Sequence, residues 1–252
     1  MNVKNDFPYP KEDNVQFFRD FYAEINGAES FDPVKEWQSE KWSAKINCSR
    51  GTVLEKAGIC SLHVAGGTIN ESPASISLFE TLVYPANPKV PGFIIMTNMN
   101  RTEETGNVLV FYSDLIIQDR APHEEEKKVF SAVLKNICNK HGHSFKEYNT
   151  FSAGQGLLGG SAGECGFVYF FEEKDIAFLE GLIKSVLTGY REILESRKTG
   201  QPQQEDCDAA NQSRARLVEW IILEDYGIKV ARENGIPLEV IEAYAFPPVI
   251  RY

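Results

Sequence analysis

Apolar positions change their spacing along the chain, and each spacing predicts a different kind of element. Between Asn14 and Asn26 apolar residues recur every third or fourth position, which predicts a helix that ends at Asn26-Gly27. From Trp42 to Leu115 apolar and polar residues alternate instead, which predicts strands joined by turns. The predicted strands span residues 44–48, 59–64, 75–84, 93–98 and 108–117. Because the links between them are too short for crossover helices, the strands predict an antiparallel sheet.

The second half of the chain has mainly helical spacing. Helices are predicted at residues 122–140, 175–198 and 209–225, and a short one near Val240. Residues 166–171 predict one further strand, and the polar stretch 199–213 predicts a surface loop. The whole pattern favours an α+β fold, a three-layer α/β/α sandwich in which helices flank a central antiparallel sheet. No linker divides it, so residues 1–252 are predicted to form a single domain.

Charge and cysteine content exclude several classes of protein. The 252 residues carry 36 acidic and 26 basic side chains, a net charge of −10, whereas nucleic-acid binding needs a basic footprint. Every apolar run is shorter than the roughly 20 residues of a transmembrane helix, and the start, MNVKNDFPYP, lacks a secretory signal. The five cysteines have no CxxC spacing, which favours free thiols in a reducing compartment. We therefore expect a cytoplasmic protein with no membrane span.

Two short motifs suggest a cofactor or a metal but lie in the wrong context. Residues 154–159 match GxGxxG, yet no predicted strand precedes them and no helix opens at their end. The glycine-rich stretch 154–166 is either a plain surface connection or a lid over a pocket, and the sequence leaves both open. His141 and His143 have no third ligand at a suitable spacing, so we expect solvated loop histidines and no metal.

Asp114 differs from the other acids because it lies inside a strongly apolar predicted strand, VLVFYSDLII. A carboxylate there either faces solvent on one side of the sheet or lies in a pocket, and the pattern leaves both open. In a pocket, loss of solvation would raise its pKa and make it a proton donor. Glu55, Glu172 and Glu173 lie at strand ends and are expected to be solvated.

Several stretches, taken in order over about residues 42–252, are similar to the motifs of one known family. They are VLEKAGICSLHVAG at 53–66, YPANPKVP at 84–91, SDL at 113–115, GECGFVYFFEE at 163–173, YREILESRK at 190–198, RLVEWIILEDYGIK at 216–229 and AFPP at 245–248. This order resembles the oxygen-dependent coproporphyrinogen oxidases. A more distant likeness, around Pro91 to Leu115, is to the ferredoxin-dependent bilin reductases, which share the same sandwich.

The resemblance implies a fold, a reaction and a set of site residues. The fold is a flat antiparallel sheet between two helical layers, usually in a homodimer. The reaction, in porphyrin biosynthesis, is oxidative decarboxylation of two propionates of a porphyrinogen by molecular oxygen, with no bound cofactor. Asp114 would hydrogen-bond pyrrole N–H groups and share in proton transfer. Gly163 and Gly166, within the glycine motif, would contact the substrate.

Some positions depart from the family pattern. The His and Arg that follow the Val-Pro pair in the family are missing from residues 92–98, and Ala162 replaces another arginine. Arginines suit bidentate pairing with propionates, so Arg101 and Arg216 are the remaining candidates for that role. Arg216 is equally a surface helix charge. His63 is a candidate to enter the pocket, or else a hydrogen-bonded histidine of the sheet.

Three functions follow from the sequence. The first is a cofactor-free oxidoreductase that acts on a tetrapyrrole, most like the decarboxylation described above. The second is a bilin reductase that takes electrons from ferredoxin and protons from pocket carboxylates. The net charge of −10 weighs against it, because ferredoxin is itself acidic and docks on basic patches. The third is a repurposed binding protein, or an enzyme for another small molecule, on the same fold.

Overall fold

Seven strands pair in chain order in the computed structural model, which describes residues 12–104, 106–118, 123–146, 167–171 and 175–249. The strands within these residues are β1 (Lys35–Gln38), β2 (Trp42–Ser49), β3 (Leu54–Ile69), β4 (Ser72–Pro85), β5 (Gly92–Thr102), β6 (Gly106–Ile116) and β7 (Phe167–Phe171). Each strand pairs antiparallel with the one before it, from β1 at one edge to β7 at the other. The predicted antiparallel sheet is therefore confirmed, and β1 is a strand that the pattern does not predict.

The longest strands of the sheet, β3 and β4, form one hairpin of 16 and 14 residues. Its two-residue turn consists of Asn70 and Glu71, whose φ angles are 49° and 68°. Positive φ at both turn residues matches the twist of the flanking strands, which is why such a short link closes the hairpin. The hairpin continues into β5 and β6, and these four strands provide the widest part of the sheet.

Six α-helices lie in the described part of the chain. They are α1 (Glu12–Asn26), α2 (Glu124–His141), α3 (Ile176–Arg197), α4 (Gln204–Leu223), α5 (Tyr226–Glu233) and α6 (Leu238–Ala245). The predictions for α1, α2, α3 and α6 are confirmed to within a few residues, but α5 is not predicted because it has only two turns. None of these described helices is both long enough and apolar enough to cross a membrane.

The helix predicted at residues 209–225 is confirmed as α4 but begins earlier, at Gln204, so the loop predicted at residues 199–213 is wrong from Gln204 onward. A capping box starts this helix, in which the Gln203 backbone N–H donates to the Asp206 carboxylate at 2.9 Å. Ala209 and Ala210 are buried against the fold. A mostly polar stretch therefore becomes a helix through its cap and one narrow apolar face, which is too narrow to give a clear hydrophobic pattern.

The sheet separates two hydrophobic cores. Successive residues on a strand point to opposite faces, so Ile95 belongs to the first core and Ile94 to the second. The first core joins the sheet to α1, α2 and α3 through residues such as Phe18, Phe130 and Phe178. The second core joins the sheet to α4, α5 and α6. The helices thus pack on the sheet through both cores, and the second core encloses the candidate site.

Candidate functional site

A cavity of about 630 Å³ lies in the second core, between strands β3–β6 and helices α4, α5 and α6. Its volume falls in the range of about 300–1,000 Å³ that is typical of small-molecule pockets. The walls are mainly aliphatic, with Leu62, Leu78, Ile94 and Val110 from the strands and Ile221 from α4. Because polar groups are few in this lining, the ligand's own polar groups must match them in position and in hydrogen-bonding character.

Helix α6 forms one wall of the cavity and is held close to β3. The Lys56 ammonium donates to the backbone oxygens of Glu242 at 3.2 Å and Phe246 at 2.6 Å, at the C-terminal end of the helix. Gly58 permits the close approach, because a Cβ there would lie 2.3 Å from the carbonyl oxygen of Tyr244. These two contacts fix the position of Tyr244 above the sheet.

Three cavity-lining side chains stand in a row across the sheet. Glu80 on β4 lies opposite Met96 on β5, and Met96 lies opposite Tyr112 on β6. Neighbouring strands are about 4.8 Å apart, so the backbones of Glu80 and Tyr112 are roughly 10 Å apart. The row places two polar groups on either side of an apolar one, within reach of a single large ligand.

Asp114 is buried beside the cavity and pairs with Tyr112, the polar residue at the β6 end of this row. Tyr112 Oη donates to Asp114 Oδ2 at 3.0 Å, and the Leu115 backbone N–H donates to Oδ1 at 2.8 Å. Only 1% of Asp114 is exposed, so the alternative of a solvent-facing carboxylate is wrong. Burial raises the pKa of Asp114 well above its ordinary value, against the opposing effect of these two hydrogen bonds. Such an environment keeps a carboxyl group protonated.

Glu80 forms a second carboxyl–tyrosine pair at the same cavity. Tyr244 Oη, on α6, donates to Glu80 Oε2 at 2.7 Å. Burial raises the pKa of Glu80 to about 8, with a smaller opposing effect from the Tyr244 hydrogen bond. Glu80 is therefore mostly protonated at neutral pH. The buried Asp114 and the half-buried Glu80, each hydrogen-bonded by a tyrosine, thus lie at one cavity on different strands.

Glu80 is a site residue that the sequence analysis misses, although a signal for it exists. It follows Ile76 and Leu78 at intervals of two and precedes Leu82, so it interrupts an apolar alternation just as Asp114 does. Its partner Tyr244 leaves no comparable signal, because 164 residues separate the two in the chain. Their contact exists only after α6 packs on the sheet.

The charged side chains that line the cavity, among the residues described, are all acidic: Glu80, Glu224 and Asp225. Asp225 caps helix α5 by accepting the Ile228 backbone N–H at 2.8 Å, and burial raises its pKa. No lysine, arginine or histidine belongs to this described lining. An anionic ligand group finds no cation there, whereas neutral N–H donors and cations find acceptors.

His63, a predicted substrate residue, faces away from the cavity. It lies between Leu62 and Val64 of β3, which both line the cavity, so its side chain points to the opposite face of the sheet. There its Nδ1 lies 3.1 Å from Ser77 Oγ, and burial lowers its pKa. The structure therefore favours the alternative of a hydrogen-bonded sheet histidine.

The two arginines proposed for propionate binding are not brought to Asp114. Arg101 follows the cavity-lining Asn100 on β5, so it points to the opposite face, where it is exposed. Arg216 is exposed on helix α4. The predicted residues that lie outside the described part of the chain are Gly163 and Gly166, with the stretch 154–166, Glu172 and Glu173.

The buried arginine of this region is Arg214, which the sequence analysis misses. Its guanidinium donates to Gln118 Oε1 at 2.8 Å, to Glu55 Oε2 at 2.8 Å and to the Pro85 backbone oxygen at 3.0 Å. These contacts tie α4 to the ends of β3, β4 and β6. Glu55 is therefore paired, and its prediction as a freely solvated carboxylate is wrong.

His141 and His143, predicted as loop histidines, lie at the end of helix α2 and just beyond it, and both pack on an aromatic ring. The His143 ring stacks on Phe178 at 4.2 Å between centroids, and the His141 ring lies 5.2 Å from the same side chain. The described residues contain no group of three or more His, Cys, Asp or Glu arranged to hold a metal ion. The cysteines among them, Cys48, Cys60, Cys138 and Cys207, are free thiols.

The geometry of the cavity indicates which kind of chemistry and which kind of ligand it suits. It is an apolar cavity lined by Glu80, whose pKa is raised to about 8, with the buried Asp114 hydrogen-bonded to the lining residue Tyr112. This combination suits general acid chemistry on a large apolar ligand that carries N–H groups. No family model matches the chain.

Proposed function

We propose that the protein is an oxidoreductase that binds a tetrapyrrole in this cavity and protonates it from Asp114 and Glu80. The observation that carries the proposal is the pair of carboxyl–tyrosine contacts, one buried and one half-buried, at one apolar cavity of about 630 Å³. A tetrapyrrole suits the site because its rings are apolar, its pyrrole N–H groups are donors and its length spans the row from Glu80 to Tyr112.

The reaction that these groups support best is reduction of a linear tetrapyrrole. One carbon–carbon double bond would take up two electrons from an external one-electron donor of the ferredoxin class and two protons from the protein. A pKa of about 8 leaves Glu80 with a proton to give near pH 7, burial raises the pKa of Asp114 in the same direction, and solvent would restore the protons. Tyr112 and Tyr244 would orient the two carboxyl groups.

The charges of the cavity lining favour this reaction over the one that the resemblance implies first, whereas the net charge of −10 weighs against docking of an acidic ferredoxin. In oxidative decarboxylation a propionate is the reacting group, and the described lining offers it acidic neighbours without a cation. In reduction the propionates of a linear tetrapyrrole take no part in the reaction and would extend out of the cavity.

Oxidative decarboxylation stays the second candidate, because the order of motifs and the position of Asp114 resemble the coproporphyrinogen oxidases. In that reaction each propionate would lose carbon dioxide, one proton and two electrons and leave a vinyl group. Molecular oxygen would take up the two electrons with two protons to give hydrogen peroxide, with no bound cofactor.

The proposal also covers the layering of the fold, the oligomeric state and the cellular compartment. The architecture is a three-layer α/β/α sandwich, supported by one core on each face of the sheet. The chain would act as a homodimer in the cytoplasm, a setting supported by the free thiols of the described cysteines. Sedimentation velocity tests the dimer without any ligand.

The proposal is tested by absorbance titration with biliverdin and with coproporphyrinogen, first without oxygen and then with it. We expect biliverdin to bind and, with reduced ferredoxin or a chemical one-electron reductant, to be reduced. Asp114→Asn and Glu80→Gln should each slow this reduction at least tenfold while biliverdin still binds, since general acids contribute about 10²–10⁴-fold. Glu192→Gln, an exposed glutamate on α3, is the matched control and should change nothing.

Other outcomes separate the alternatives. Oxygen-dependent decarboxylation of the porphyrinogen, lost in Asp114→Asn, would replace reduction with the second candidate. Biliverdin binding without turnover by any reductant would indicate a repurposed binding protein. If neither tetrapyrrole binds, the proposed function is wrong.

A further inference from the structure

Two asparagines on β5 place amide groups inside the cavity. Asn98 and Asn100 both line it, and the Oδ1 atom of each is buried without a hydrogen-bond partner among the described residues. Residues two apart on a strand share a face and lie about 7 Å apart. A buried hydrogen-bond acceptor without a partner is unfavourable and uncommon in native proteins. Two such acceptors on one strand therefore indicate that a bound ligand supplies the donors.

Among the described residues, the cross-strand neighbours of these two amides are aliphatic. Asn98 lies between Leu78 on β4 and Val110 on β6, and all three line the cavity. Asn100 lies between Ile76 and Val108 in the same way. A donor for these amide oxygens would therefore come from a molecule inside the cavity.

We propose that Asn98 and Asn100 form a subsite for a lactam edge, an N–H donor beside a carbonyl acceptor, at one end of the ligand. A carboxamide presents an acceptor oxygen beside a donor NH₂, so a cyclic amide is its complement. The inference rests on the proposed function: the end rings of a linear tetrapyrrole are lactams, whereas a porphyrinogen has none. Asn98 lies two residues from Met96, so the subsite continues along β5 from the row of Glu80, Met96 and Tyr112.

The test uses Asn98→Leu, Asn100→Leu and the double variant. The control is Asn139→Leu, at an exposed asparagine of α2. We expect the double variant to bind biliverdin about tenfold more weakly, as two lost hydrogen bonds would give. Its melting temperature should stay the same or rise, because leucine replaces an unpartnered polar group. An unchanged affinity would overturn the subsite, and so would a fall in melting temperature that accounts for the weaker binding.

A fragment pair tests the subsite independently of the tetrapyrrole. Saturation-transfer NMR with 2-pyrrolidinone, a five-membered lactam, is compared with cyclopentanone, which keeps the carbonyl and lacks the N–H. We expect transfer to 2-pyrrolidinone in the wild type and in Asn139→Leu, with a loss of most of it in the double variant and little transfer to cyclopentanone. No transfer to the lactam, or equal transfer to both fragments, would overturn the subsite even if biliverdin binds. Lactam binding without biliverdin binding would support the subsite and reject the proposed function.

Discussion

The first and second cores pack on opposite faces of one sheet, yet they are filled differently. In the first, aromatic rings meet closely: Phe18 and Phe79 lie 4.9 Å apart, and Phe93 and Tyr190 lie 4.3 Å apart between centroids. In the second, a cavity of about 630 Å³ interrupts the packing and carboxyl and amide groups enter from the strands. The difference indicates that one face supplies stability and the other gives up packing for a ligand site.

Phe79 and Leu78 are neighbours on β4 that point into the two different cores. Phe79→Ala should lower the free energy of unfolding by about 3–5 kcal/mol, because it leaves a hole in a filled core. Leu78→Ala should cost only about 1 kcal/mol, because this side chain already borders open space. Urea unfolding of both variants measures the contrast. Equal losses would contradict a difference in packing between the faces.

Arg214 and Arg216 compare a buried with an exposed arginine on one helix. Arg214→Met should cost about 2–4 kcal/mol of unfolding free energy, because it leaves Gln118, Glu55 and the Pro85 carbonyl without their donor. Arg216→Met should change it by less than about 0.5 kcal/mol. Thermal or urea unfolding checks both. A comparable effect of the two substitutions would show that Arg214 does not anchor α4.

Glu80 gives the second face a pH dependence between about pH 4.5 and pH 8. Its pKa rises from 4.5 to about 8 on folding, so the unfolded chain loses this proton first as pH increases. The stability from the protonated group is complete below about pH 4.5 and is lost up to about pH 8. Unfolding of Glu80→Gln should therefore show a flatter profile across this window, by up to about 1.4 kcal/mol per pH unit. Parallel profiles for the wild type and the variant would contradict the raised pKa.

Much of the fold can be predicted from the sequence, because alternation and helical spacing report directly on buried faces. Strands β2–β6 and helices α1, α2 and α3 follow from these patterns. The start of α4 does not, because its cap and narrow apolar face leave a polar composition around Gln204. Short elements such as β1 and α5 hold too few residues for a period to be visible.

The site is only half predictable, for a physical reason. Asp114 can be predicted as a site residue because an acidic side chain interrupts an otherwise apolar strand there, and Glu80 gives the same signal. Tyr244 and Arg214 acquire their roles through contacts with residues more than 90 positions away, which no local pattern records. Strand alternation also decides that His63 and Arg101 face away from the cavity, but only once the register is known.

The central claim is that Asp114 and Glu80 are protonated at neutral pH beside the cavity. Infrared difference spectroscopy of the ligand-free protein tests it directly through the carboxylic-acid C=O stretch. The account predicts that at pH 7 each of Asp114→Asn and Glu80→Gln removes one such band, and that the Glu80 band of the wild type fades as pH rises through about 8. A wild-type spectrum at pH 7 from which neither variant removes a band would contradict it.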